Sequence, residues 1–284
     1  MSENSISESK AFLEILGISE EPFGVFYTDQ EPKDGFTPKS RSLPTLEEEK
    51  GDKIDWGLVF EGFSCVIGLL WRARKKGTST YFSRENFGCF GGAFYLGFLR
   101  HPLDFVARFV STGIPNHFEG ERYLESPEVT KMFFKTIAPR PAPASFCVFK
   151  PLSLFTDFEK PELVIFFARP ESICGLHQLA TFATNDFEAV LSPFGPGCAG
   201  ILTWPLHFLA QGKQKAVLGG WDPTERRYVK TDELTFAVPW EMYHRMLSRW
   251  RESFLITKTW DSVRKKIERS KKAWGEEASD QPKK

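Results

Sequence analysis

The sequence predicts a fold between α/β and α+β: mixed sheet or sheets with helices, in one compact unit made of two similar halves. Three observations carry this reading. Short β-branched and aromatic runs, bounded by Gly and Pro, alternate with segments of helical periodicity. These segments occur twice in one order, strand–helix–strand–Gly-Cys–helix. One cysteine interval also marks both copies: Cys89 lies 24 residues after Cys65, and Cys198 lies 24 residues after Cys174.

The elements follow in order. Residues 1–21 hold an N-terminal helix, with Phe12, Leu13, Ile15 and Leu16 at helical spacing and Gly17 as its stop. The first α/β half spans 22–137. It opens with the strand PFGVFYTD, passes through a polar stretch at 30–55 read as an exposed loop, and reaches a short strand candidate, GLVF. A helix then runs from Cys65 to about Lys76, where RARKK complements the carboxyl-end dipole and Gly77 ends it. TSTYFS is the second strand, and Gly88-Cys89 leads into the apolar helix FGGAFYLGFL. Helices near 102–112 and 126–137 complete this half.

The second half, 138–255, begins with the stiff APRPAPA and repeats the order. SFCVFKPL and PELVIFFARPE are strands, SICGLHQLATFA a helix near Cys174, FEAVLS a strand, and Gly197-Cys198 opens AGILTWPLHFLA. AVLGGWD, a polar turn, the strand LTFAV and a helix from Pro239 follow. Residues 256–284 are a charged helix and a disordered tail.

The composition narrows the function classes. With 28 phenylalanines and 15% aromatic residues, the chain can bury a large core. The 37 basic and 37 acidic residues cancel, so neither a nucleic-acid nor a membrane-surface partner is expected. The opening MSENSISESK lacks the basic-then-apolar order of a secretion signal. The longest nearly uncharged apolar run, at 57–71, contains Glu61 and is too short to span a bilayer. A cytoplasmic location is therefore expected, with the five cysteines as thiols or metal ligands.

Cys65, Cys89 and Cys198 are the candidate metal ligands, for an iron–sulfur cluster or zinc. Each opens a helix, where the amino-end dipole lowers a thiol pKa and favours the thiolate that binds metal. The competing reading is packing, because free cysteine is a small buried hydrophobe and Gly-Cys steps let helices approach closely. No C-x-x-C pair occurs. Cys147 lies inside a strand and is read as structural. In GGWDPTERRY, Arg226 and Arg227 are candidates to bind a small anionic ligand. The isolated histidines are read as satisfied surface or core residues. No catalytic signature is complete, so the sequence names no reaction; oligomers remain open.

Several blocks together, EPFGVFY, SCVIGLLWRARKKGTSTYFSRENFGCFGGAFYLGF, YLESPEVTKMFF, FCVFKPLSLF and TDELTFAVPWEMYHRML, resemble the uncharacterised ArCR family (domain of unknown function 169) over residues 20 to 255. That family's pattern has a cysteine opening the first helix, a Gly-x-x-Cys-like step, and a third cysteine late in the chain. The resemblance matches Cys65, Cys89 and Cys198 to those places. It puts Cys174 where an apolar residue is expected and implies no established activity.

Overall fold

Central strands buried on both faces set the architecture. In the computed structural model, which describes residues 3–40, 61 and 63–275, a seven-stranded mixed sheet separates two helical layers. Helix α1 (Glu3–Leu16) and strand β1 (Phe23–Thr28) come first, then α2 (Val66–Lys76) and β2 (Thr80–Ser83). Helices α3 (Phe90–Tyr95) and α4 (Asp104–Val110) lead to a small hairpin of β3 (Gly113–Ile114) and β4 (Phe118–Glu119), and then to α5 (Pro127–Ile137). The rest comprises β5 (Phe146–Pro151), β6 (Leu163–Ala168), α6 (Pro170–Thr184), β7 (Val190–Leu191), α7 (Trp204–Ala210), β8 (Ala216–Gly219), β9 (Leu234–Pro239), α8 (Trp240–Arg249) and α9 (Lys258–Ala273).

The strand order is β2-β5-β1-β6-β9-β8-β7, and every neighbouring pair is antiparallel except β7 and β8. Strand β5 inserts between β1 and β2, so the second stretch of chain completes the sheet of the first. Leu163, Ile165 and Phe167 of β6 point into one apolar layer with α2, α3, α4 and α5; Val164 and Phe166 point into the other, with α1, α6 and α8. This period-two alternation of large side chains is what anchors β6 at the sheet centre.

Local signals account for the helix ends. Gly77 caps α2 in the left-handed conformation, and Ser126 Oγ accepts from Val129 N ahead of Pro127 at the start of α5. Arg74, within RARKK, does more than complement a dipole. Its guanidinium donates to Glu20 and to Glu233 (3.0 Å) and lies 3.7 Å from the Phe167 ring centre, which ties α2 to the segments before β1 and β9.

The duplication suggested by the cysteine interval is not borne out as a repeated architecture. The order of elements recurs, but α2 covers one face of the sheet and α6 the other. One strand separates β1 from β2, whereas two separate β6 from β7. An equal interval fixes only a length of chain, not the face over which that length crosses. The strand candidate at 57–60 and residues 41–55 of the exposed loop lie outside the described residues. Among the described residues, no helix is long and apolar enough to cross a membrane.

Candidate functional site: a thiol-lined cavity

Three helix starts meet over the layer that holds α2 to α5. Cys65 precedes α2 in an extended conformation, and Cys89 does the same for α3, its Sγ accepting from Gly92 N at 3.2 Å. Cys198 leads into a π-helical turn, Ala199–Thr203, that continues as α7. Such turns are uncommon and recur at functional sites. Thr203 Oγ1 donates to Tyr95 O at 2.9 Å, which fastens this turn to the end of α3.

The glycines before Cys89 and Cys198 explain how these segments come so close. Gly88 has φ +83°, and a Cβ there would lie 2.3 Å from the carbonyl oxygen of Ser64. The Cys89 loop therefore rests directly on the backbone beside Cys65. At Gly197 a Cβ would stand 1.4 Å from Glu225 Oε2 and 2.9 Å from Ile67 Cγ1. The Cys198 loop is thus pressed against the first turn of α2 and under a carboxylate. The start of α2 is the common anchor of all three cysteines.

Cys65, Cys89 and Cys198 line one cavity of about 860 Å³. Its wall also includes rings such as Phe90, Phe105 and Phe133, and the charged residues Glu121, Asp222, Glu225 and Arg227. None of the five cysteines is in a disulfide. Cys147 is buried in β5, and Cys174 is exposed on α6; neither lines the cavity. Among the described residues, no three or more His, Cys, Asp or Glu side chains are gathered tightly enough to hold a single metal ion.

Electrostatics in the cavity differ from the expectation of dipole-activated thiolates. Burial pushes the Cys65 thiol up, although the backbone N–H groups of Gly68 and Ile67 act in the opposite sense. The Cys198 thiol is pushed well above its ordinary value, first by burial and then by the neighbouring Cys89 and Cys65. Desolvation outweighs a helix dipole where the sulfur is enclosed, so these groups rest as neutral thiols unless a cation compensates.

The carboxylates follow the same rule. Glu225 is only 1% exposed, and neither of its carboxyl oxygens makes a hydrogen bond among the described residues. Burial and then the charge of Asp222 raise its pKa to about 8. The same two causes, in the same order, raise Glu121 to about 7. Asp222 Oδ1 accepts from Thr224 N (2.9 Å) and Thr224 Oγ1 (2.7 Å), so it is already partly satisfied.

The two arginines separate. Arg226 donates to the carbonyls of Gly220 (3.3 Å), Glu233 (2.6 Å), Lys230 (2.9 Å) and Thr231 (2.8 Å), holding the loop between β8 and β9 in shape. Its guanidinium is committed to the backbone and does not line the cavity. Arg227 does reach the cavity wall, with its guanidinium 4.7 Å from the Tyr228 ring centre. Glu225 sits one residue before this pair. In sequence, Asp222 and Glu225 read as the acids of an ordinary polar turn, and only their position beside Gly219-Gly220 set them apart.

No curated protein and no solved structure matched the chain. The sequence profile of the uncharacterised ArCR family (domain of unknown function 169) matches residues 11–249, a span that includes all three cavity cysteines and the loop carrying Glu225, and the chain belongs to that family.

Proposed function

We propose that the protein is a cysteine-ligated metalloprotein holding an iron–sulfur cluster through Cys65, Cys89 and Cys198. The observation that carries this reading is that three thiols, far apart in the chain, line one cavity. A cluster and a zinc ion make different demands on the sulfurs. Tetrahedral zinc needs sulfurs that close on one ion, at ~2.3 Å each, and no such gathering occurs among the described residues. In a cubane cluster each cysteine binds a different iron, so the sulfurs stand apart around an open volume. When bound, a cluster with three protein ligands supplies one iron able to act as a Lewis acid or to pass electrons.

This chain's own residues would shape what reaches that position. The aromatic rings give the wall an apolar surface, and the buried carboxyl of Glu225 stands beside the Cys198 loop. A cytoplasmic location, where thiols persist, fits the same reading. The alternative, a non-catalytic module for a small anion at Arg226 and Arg227, is weaker: Arg226 is committed to four carbonyls, and three acidic residues share the cavity with Arg227.

Anaerobic reconstitution with iron and sulfide, followed by visible absorption and metal analysis, tests the proposal. Wild-type protein should take up iron and sulfide in stoichiometric amounts, and Cys65→Ser, Cys89→Ser and Cys198→Ser should each collapse that uptake while Cys147→Ser does not. Wild-type protein that gains no iron, or a triple serine variant that keeps its iron, overturns the reading.

A further inference from the structure

The cavity is larger than three thiols require. Its volume of about 860 Å³ falls within the range of pockets that enclose a whole organic ligand. We infer that it also binds an organic cation with an aromatic body and N–H donors, an amidinium, guanidinium or primary ammonium, whose charged end pairs with Glu225. The inference deepens the cluster reading by naming a second occupant of the same cavity. It rests on different residues, so the two can fail separately.

The charged end is assigned by an orphaned acceptor. Glu225 is almost fully enclosed, faces the cavity, and has two carboxyl oxygens with no hydrogen bond among the described residues. A buried carboxyl is normally satisfied, and leaving it bare is unfavourable. The neighbouring guanidinium of Arg226 is turned to four backbone carbonyls. Two bare oxygens side by side suit a ligand that presents paired N–H groups.

The rest of the wall agrees with a cation. Among the described residues, Glu121, Asp222 and Glu225 share the wall with a single guanidinium, that of Arg227, which lies over Tyr228. The rings of Phe63, Phe90, Phe105, Phe109, Phe133 and Trp221 supply flat apolar contact, and their negative faces favour a positive group. A bound cluster with three thiolates would add negative charge and strengthen the same preference. A neutral hydrocarbon would leave Glu225 bare, and an anion would meet three carboxyls.

Benzamidine serves as the probe, with benzyl alcohol and benzoate as neutral and anionic counterparts of similar shape. Each is titrated by calorimetry into the full-length protein, before and after reconstitution with iron and sulfide. Benzamidine should bind about tenfold more tightly than benzyl alcohol, and benzoate more weakly than either. Glu225→Gln should erase the tenfold preference while its iron uptake stays at the wild-type level. Glu225→Asp, which keeps the charge but withdraws it, should weaken it in the same direction should the glutamine variant prove unstable. Equal binding of all three probes to unmodified protein, no binding of benzamidine, or an unchanged preference in Glu225→Gln overturns the inference. Cys89→Ser protein that has lost iron but keeps the preference supports it and isolates it from the cluster.

Discussion

Gly88-Cys89 and Gly197-Cys198 are the same dipeptide used in two ways. At Gly88 the requirement is in the backbone: φ is positive, and the neighbour a Cβ would meet is a carbonyl oxygen of the main chain. At Gly197 the neighbours are side-chain atoms, chiefly the carboxyl of Glu225 and, at 2.9 Å, Ile67 Cγ1. A main-chain oxygen in a packed turn cannot retreat, whereas a carboxyl on two methylenes can swing away. The first glycine therefore sets the fold around Cys65 and Cys89, and the second sets the position of an acid beside Cys198.

The largest expected effect tests that difference. Gly88→Ala combines a strained conformation with a main-chain clash and should lower stability by about 3 kcal/mol or more. Gly197→Ala should cost about 1 kcal/mol, because its strain is relieved by moving two side chains, mainly Glu225 and slightly Ile67. Denaturant unfolding of both variants reads this directly. Equal losses at the two sites would mean that Glu225 is held as firmly as the main chain.

A second comparison lies within one loop. Arg226→Ala removes donors to four carbonyls between β8 and β9 and should cost about 2–3 kcal/mol. Its neighbour Arg227 makes no such bonds in the loop, and Arg227→Ala should change stability by less than about 0.5 kcal/mol. Thermal unfolding distinguishes them, and a large loss in Arg227→Ala would assign that side chain a structural role as well.

How much of this was legible in sequence depends on the range of the interaction. The boundaries of α2 and α5 follow from local chemistry, Gly77 at one end and Ser126-Pro127 at the other, and both appear where that chemistry puts them. The β6 strand declares itself through a continuous apolar run with breakers on both sides. The partner of β5 was not legible, because its pairing with β1 joins segments about 120 residues apart and depends on how the intervening helices cross. Nor was the π-helical turn at Ala199–Thr203, which has no residue pattern of its own.

The site divides along the same line. Cys65, Cys89 and Cys198 stood out by spacing, by their glycines and by the family resemblance, and they do share one cavity. At Cys65 and Cys198 burial acts against the expected activation, since a helix dipole is local while desolvation depends on everything packed around the sulfur. Glu225 was hidden for the opposite reason. An acid in a polar turn looks solvated, and only the tertiary fold takes water away from it.

That desolvation has a pH signature, the third comparison. The unfolded chain loses the Glu225 proton near the ordinary value of 4.5, while the folded chain holds it up to about 8. The folded state therefore binds more protons between those values, and stability is greatest in acid and falls as pH rises from about 5 to about 8. Glu225→Gln has no proton to lose, so ligand-free variant protein should overtake wild type by about 1–3 kcal/mol above pH 8. Glu121, half-buried with a pKa raised to about 7, adds a shallower decline over a slightly lower range. Parallel stability–pH curves for wild type and Glu225→Gln would mean that Glu225 is ionised and satisfied in solution.

The smallest effect is expected at the cysteine that shares the 24-residue interval without sharing the cavity. Cys174 is exposed on α6, on the opposite side of the sheet from Cys65, Cys89 and Cys198. Serine there exchanges one small polar group for another in contact with water, so Cys174→Ser should alter stability by less than about 0.5 kcal/mol and leave iron uptake unchanged. Against Cys198→Ser, the variant separates two explanations for the equal spacing. If spacing reflected two working halves of one metal site, both serines would lower iron content together. The sheet forbids this: its strands stand between Cys174 and the cavity, and no helix shift short of unfolding brings that sulfur through them. A loss of iron in Cys174→Ser, measured on protein that unfolds at the wild-type midpoint, would therefore contradict the cavity as the site of metal binding.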